Sequence, residues 1–159
     1  MNVLLIGSGG REHALAWKLK QSPLLGKLYA IPGSAAMADL ADCQAIGQED
    51  FDGISDFCAD KEIGLVVVGP EAPLAKGIAD ALAAKGLKVF GPSQKGAMLE
   101  ASKQFAKEFM DRNYLPTAGF SILYSREAAR EKIKANRKYP VVIKADGLAA
   151  GKGVRICAD

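Results

Sequence analysis

The chain is poor in the residues that most often carry chemistry alone. It has one histidine, His13, which excludes a His-rich metal centre. Its three cysteines, Cys43, Cys58 and Cys157, are widely spaced, and no two form a Cys-x-x-Cys pair. An odd, scattered set argues against a disulfide framework and for a reducing compartment. No apolar run is long enough to span a bilayer. The apolar start "NVLLIG" is too short for a signal peptide and is cut off by glycines. These absences point to a soluble, cytoplasmic protein with no membrane partner. The basic residues are scattered and the net charge is only +3. That excludes the dense basic stripe of a nucleic-acid binder, while it suits a small anionic ligand. There is no internal repeat and no low-complexity segment.

Glycine, by contrast, is plentiful. Seventeen are present, clustered at Gly7 to Gly10 and Gly147 to Gly153. A length of 159 residues, 49% of them hydrophobic, fits one domain or one domain plus part of another. "NVLLIG", "KLYAIPG", "IGLVVVG" and "LKVFGP" read as strands, and "IGLVVVG" is apolar on both faces, as in a sheet covered on both sides. Between them lie helical stretches. "REHALAWKLKQ" has Leu15 and Leu19 on one side, with Ala14 and Trp17 at neighbouring positions. "QEDFDGISDFCADKE" spaces Ile54, Phe57 and Cys58 helically, and "PEAPLAKGIADALAAKG" carries a stripe of Leu74, Ile78, Ala81 and Leu82. Pro73 suits a first helical turn and Gly86 a position just past a helix. The alternation predicts an α/β fold: a Rossmann-like parallel sheet with helices on both faces.

After Pro92 the pattern changes. "SKQFAKEFMDRN" reads as a helix, "LPTAG" as a hinge-like connection, and "FSIL" as a short apolar segment. A helix capped by Ser125 follows, from Arg126 to about Lys138, with "RKYP" (Arg137 to Pro140) as its solvated end. Then come the strands "PVVIKA" and "GVRICA" around the second glycine cluster. The expected boundary lies near Thr117 to Phe120, giving domains 1–118 and 119–159.

Three stretches carry the candidate chemistry. "GSGGREH" joins the first strand to the first helix. Its glycines let backbone N–H groups approach an anion at the helix N-terminus, and Arg11 adds a phosphate contact; equally, they serve a tight turn. Glu12 stands where the dinucleotide fingerprint needs its third glycine, and no acid follows in "LYAIPGS", so NAD or FAD is disfavoured. His13 alone reads as a helix-start residue. "VVVGPEAPL" places Glu71 just past a buried strand, at the edge where open α/β sheets hold ligands. There it can take ribose hydroxyls or an amine, or simply favour a helix start. "AIPGS" ends the second strand at the same edge, so three loops converge on one crevice. Finally, "GLAAGKG" fails the Walker A spacing by one residue, and Gly153 follows Lys152 where Ser or Thr would hold magnesium. Flanked by strands, it is a hairpin able to close over a triphosphate, with Lys144 as a fixed charge.

These stretches, with "VFGPSQKGAMLEASKQFAKEFM" and "LPTAGF", resemble in order the N-terminal part of the phosphoribosylamine–glycine ligase (glycinamide ribonucleotide synthetase) family, ATP-grasp enzymes of purine biosynthesis. The resemblance spans nearly the whole chain. It implies a substrate-binding, pre-ATP-grasp domain followed by the start of an ATP-grasp lid domain, and an ATP-dependent carbon–nitrogen ligase joining glycine to 5-phosphoribosylamine through glycyl phosphate. By the same resemblance Gly9, Gly10, Arg11 and Glu71 hold the phosphoribosylamine. Lys103, Lys144, Gly147, Gly151, Lys152 and Gly153 meet ATP. No catalytic side chain and no metal ligand is expected within these residues. The magnesium ligands are expected beyond residue 159, since Asp146 and Asp159 are the only acids after Lys144. The chain therefore reads as an N-terminal fragment, inactive alone. It departs from the family's usual pattern at "PGSAAM", where Ser34 replaces Asn and Met37 is bulky, and at Ala101, where glycine is common. Two other functions are compatible with parts of the pattern: another ATP-grasp carboxylate–amine ligase of nucleotide metabolism, or a non-catalytic nucleotide-binding module.

Overall fold

The structure is a computed structural model and describes residues 1–136, 138–149 and 151–158. The first part of the chain alternates strand and helix. It runs β1 (Asn2–Gly7), α1 (Gly10–Lys20), β2 (Leu28–Pro32), a single 3-10 turn (Ala35–Met37), β3 (Asp42–Cys43), α2 (Phe51–Asp60) and β4 (Ile63–Val68). Then follow α3 (Glu71–Ala75), α4 (Ile78–Ala84), β5 (Val89–Phe90) and α5 (Gln94–Ala101). All five strands are parallel, in the order β3-β2-β1-β4-β5.

Successive residues of β1 face opposite sides. Leu4 and Ile6 enter one apolar cluster with Ile54 and Cys58 of α2, Leu74 of α3, and Ile78 and Leu82 of α4. Val3 and Leu5 enter the other, with Ala16 of α1, Met37 and Ala41. Both faces of the sheet are thus covered, which is the doubly wound α/β arrangement that the alternating pattern predicts. Loops leave β1 and β4 toward opposite faces, so the switch of topology falls between these two central strands.

Some local expectations shift. The buried face of α1 is Glu12 and Ala16 flanked by Leu15 and Leu19, while Trp17 is 58% exposed and Ala14 also faces out. The stretch from Glu71 to Ala84 is two helices, because Gly77 takes a left-handed conformation (φ +91°) between them. Gly86, also left-handed (φ +82°), lies just past α4 as a helix-ending glycine should. The helix α5 and the two-residue β3 have no counterpart in the sequence reading; short apolar spacing marks neither.

The later part comprises α6 (Lys103–Arg112), α7 (Arg126–Ala135) and an antiparallel hairpin of β6 (Val141–Lys144) and β7 (Val154–Cys157). Ser125 caps α7 by accepting from Ala128 N at 3.1 Å. That helix closes at Ala135, short of Lys138, and Arg137 of the expected helix end lies outside the described residues. "FSIL" forms no strand. The chain divides into two compact units between Ala97 and Met98. The sequence expectation put the boundary near 117–120. The difference has a physical cause: Ser102, Lys103 and Gln104 at the start of α6 hydrogen-bond to Asp146 and Gly147, binding α6 to the hairpin. Among the described residues no helix is long and apolar enough to cross a membrane.

Burial pushes the Cys58 thiol up to about 11, whereas Cys43 and Cys157 are partly accessible. The thiolate is the reactive form. At pH 7.5 a thiol-alkylating reagent should therefore label Cys43 and Cys157 and spare Cys58 until denaturant is added. Peptide mass mapping gives the order directly.

Candidate functional site

The switch point between β1 and β4 is built around Glu12. This residue is only 5% exposed. It is the third helical residue of α1, and its Oε2 reaches back to accept the Gly9 N–H at 2.8 Å. Such a bond satisfies one donor at a helix N-terminus. Three glycines leave room for it. A Cβ on Gly7 or Gly69 would lie 2.7 Å from Glu12 Cδ, and one on Gly9 would lie 3.0 Å from Oε2. Gly7 (φ +126°) also needs its backbone freedom. Gly7 ends β1 and Gly9 follows it, while Gly69 follows β4. A single carboxylate therefore locks the two loops at the crevice together.

The neighbouring Arg11 spans the same gap at the surface. Its Nη1 donates to Gly69 O at 3.0 Å, and its Nη2 lies 3.7 Å from Glu71 Oε2. Its Nε is 3.9 Å from Glu12 Oε1. Arg11 and Glu71, singled out separately in the sequence, are thus brought into one cluster. Both are substantially exposed, so the pair adds little stability and stays accessible to a ligand. Gly10 opens α1, where first-turn N–H groups have no intrahelical partner and the dipole favours an anion. Gly9 differs from Gly10 in that its N–H is already engaged by Glu12. The third converging loop closes through Gly33 N, which donates to Gly7 O at 3.2 Å.

In the second unit, the hairpin loop meets the start of α6. Lys103 Nζ donates to Gly147 O at 2.8 Å. Gln104 N donates to Asp146 Oδ1 at 3.1 Å, and the Ser102 hydroxyl lies 3.2 and 3.1 Å from the two Asp146 oxygens. Ser102 also caps α6, accepting from Phe105 N at 3.0 Å. The Gln104 amide, then the Ser102 hydroxyl and the Gly147 and Lys103 amides, hold Asp146 below its ordinary 3.8 despite an opposing effect of partial burial. Lys144 ends β6 opposite Val154, so it stands on the strand leading into the loop. Gly147 (φ +84°) and Gly151 (φ +76°) take left-handed turns within it. Ala145 N to Gly153 O (2.8 Å) and Lys152 N to Ala149 O (2.8 Å) close the loop. Ala150, inside the expected lid, and Asp159 lie outside the described residues. Among the described residues no group of three or more His, Cys, Asp or Glu side chains could hold a metal ion.

Residues 1–100, well over half of the chain, match the family model "Phosphoribosylglycinamide synthetase, N domain". The chain belongs to this synthetase family. Residues 101–159 match the ATP-grasp (A) domain of the same synthetase. A phosphoribosylamine–glycine ligase from Nostoc sp. is 52% identical over 98% of this chain and 37% of its own length. One from Brucella melitensis is 54% identical over 97% and 36%. Among solved structures, a phosphoribosylamine–glycine ligase from Thermotoga maritima superposes with a TM-score of 0.74, at 32% identity, over 100% of this chain and 36% of that one. The chain thus spans little more than a third of the length of these relatives.

The departures from the synthetase pattern find simple places. Met37 is fully buried against α1 and the sheet, a core residue turned away from the loop surface. Ser34 precedes the 3-10 turn with extended backbone, and its carbonyl accepts from Cys43 Sγ at 3.8 Å. Ala101 is the last residue of α5. Sequence reasoning missed Glu12 and Asp146 as organising residues. Glu12 left a trace, as the residue breaking the glycine fingerprint; Asp146 left none.

Two outcomes follow from this geometry. Gly69→Ala should cost about 1–3 kcal/mol, as overpacking does, measured by urea unfolding. Because the clash is with Glu12, the loss in a Gly69→Ala/Glu12→Ala double variant should fall well short of the sum of the singles. Asp146, whose folded value is depressed, contributes stability that is fully present above about pH 4 and lost as pH falls through the lower folded value. Protection of the hairpin amides against hydrogen exchange should fall over that acid window in the wild type and lose this step in Asp146→Asn.

Proposed function

We propose that this chain takes part in the ATP-dependent ligation of glycine to 5-phosphoribosylamine. A carboxylate is a poor electrophile. ATP therefore phosphorylates glycine to glycyl phosphate, releasing ADP. The amine of phosphoribosylamine then attacks the acyl carbon and expels phosphate, forming the amide bond of glycinamide ribonucleotide. The observation that carries this proposal is the match of both parts of the chain, in order, to consecutive parts of one synthetase.

In the first unit the N–H groups of Gly10 and Arg11 and the Arg11 guanidinium suit the ribose phosphate. Glu71, 3.7 Å from Arg11, suits the ribose hydroxyls or the amine. Gly9 contributes the space that Glu12 fills. In the second unit Lys103, Lys144 and Lys152 supply positive charge for the ATP phosphates. Gly147, Gly151 and Gly153 let the hairpin backbone approach them closely. The work of these residues is positioning and charge neutralisation, with no nucleophilic side chain required.

Calorimetric titration of the chain tests this directly. Ribose 5-phosphate should bind, and Arg11→Ala or Glu71→Ala should each weaken it by about tenfold or more, the loss of a charge-assisted bond. NAD should give no measurable heat. NAD binding tighter than ribose 5-phosphate would sink the ligase assignment.

A further inference from the structure

We propose that Asp146 is a positioning residue that seats the glycine loop on the N-terminus of α6 and thereby sets the loop's register against Lys103. The proposal rests on the reading of Lys103 and the loop as the phosphate side of the ATP site. Asp146 itself is no part of that charge set, since a carboxylate repels phosphate.

Ser102 is the one buried residue among the described residues of the second unit. The strands β6 and β7 leave Val142, Ile143, Val154 and Ile156 between 44% and 69% exposed, so apolar packing does little to orient the hairpin there. What fixes the loop is polar. A carboxylate satisfies the Gln104 amide, which has no intrahelical partner, and meets the positive end of the helix dipole. The Ser102 hydroxyl, already accepting from Phe105 N, turns its single proton to the same carboxylate. These bonds join residues 42 and 44 positions apart. The chain then turns at Gly147 in a left-handed conformation, and its carbonyl arrives on Lys103 Nζ at 2.8 Å. Beside these bonds on α6, the Lys103 ammonium donates to the Gly147 carbonyl, and Glu108 accepts from Gln104 Nε2 at 3.0 Å. With Asp146 seated, the lysine and the loop hold one spacing. That spacing is what contact with successive phosphates requires.

The test is a double-mutant cycle with an independent structural readout, made by NMR on the chain. In Asp146→Ala the Gln104 and Gly147 amides should exchange about tenfold faster, while amides of β1 and β4 keep their rates. Asp146→Asn retains an acceptor for the Gln104 N–H and should restore most of the protection. Titrated with ATP, the Asp146→Ala chain should need about tenfold more nucleotide for the same shift of the loop signals. Lys103→Met should add little further loss in that background, because the two residues act as a unit. A merely structural Asp146 would give additive losses, and additivity overturns the proposal. So do unchanged Gln104 and Gly147 exchange rates in Asp146→Ala. If ATP moves no signal in the wild type, the ATP reading fails. The exchange rates then decide alone whether Asp146 seats the loop.

Discussion

A buried carboxylate between the ends of the two central strands, β1 and β4, holds that edge of the first unit in shape. Glu12 fills a space bounded by Gly7 at the end of β1, Gly9 just after it and Gly69 just after β4. An isolated buried charge is costly. Here that cost is offset by the Gly9 N–H and the dipole of α1, and the Arg11 guanidinium lies close by. Everything else at this edge follows from that packing. The loops cannot part without opening a cavity, Arg11 is aimed across the gap at Gly69 and Glu71, and the first turn of α1 is left facing the crevice.

The same packing separates this fold from dinucleotide-binding relatives of similar topology. In those, the third glycine of the fingerprint brings helix and strand close together beneath a pyrophosphate. A side chain of three carbons ending in a carboxylate in that position removes both the space and the electrostatic welcome. Arg11 and Glu71, lying side by side, instead place one cation and one anion 3.7 Å apart at this edge.

The second unit is organised on different terms. Its helices α6 and α7 bury no side chain completely, and its hairpin is exposed on both faces. Order in the glycine loop comes from hydrogen bonds to a helix N-terminus rather than from a core. Such ties are directional and depend on ionisation, so they define position sharply while contributing little to cohesion.

Much of this was legible in the sequence, and the reason is period and punctuation. Alternating apolar strands and amphipathic helices up to Pro92, each ended by glycine or proline, specified a parallel sheet covered on both faces. The broken Walker spacing with strands on either side specified a hairpin, and Ser125 marked the cap of α7. These features are local, and local chemistry determines them. The sequence could not reveal that Glu12 lies beneath Gly69, that Arg11 reaches Glu71 across 60 positions, or that Asp146 belongs to the start of α6. Those pairings join residues far apart in the chain. Only the tertiary structure decides them, because a carboxylate acquires its role from the donors and the space that folding brings to it.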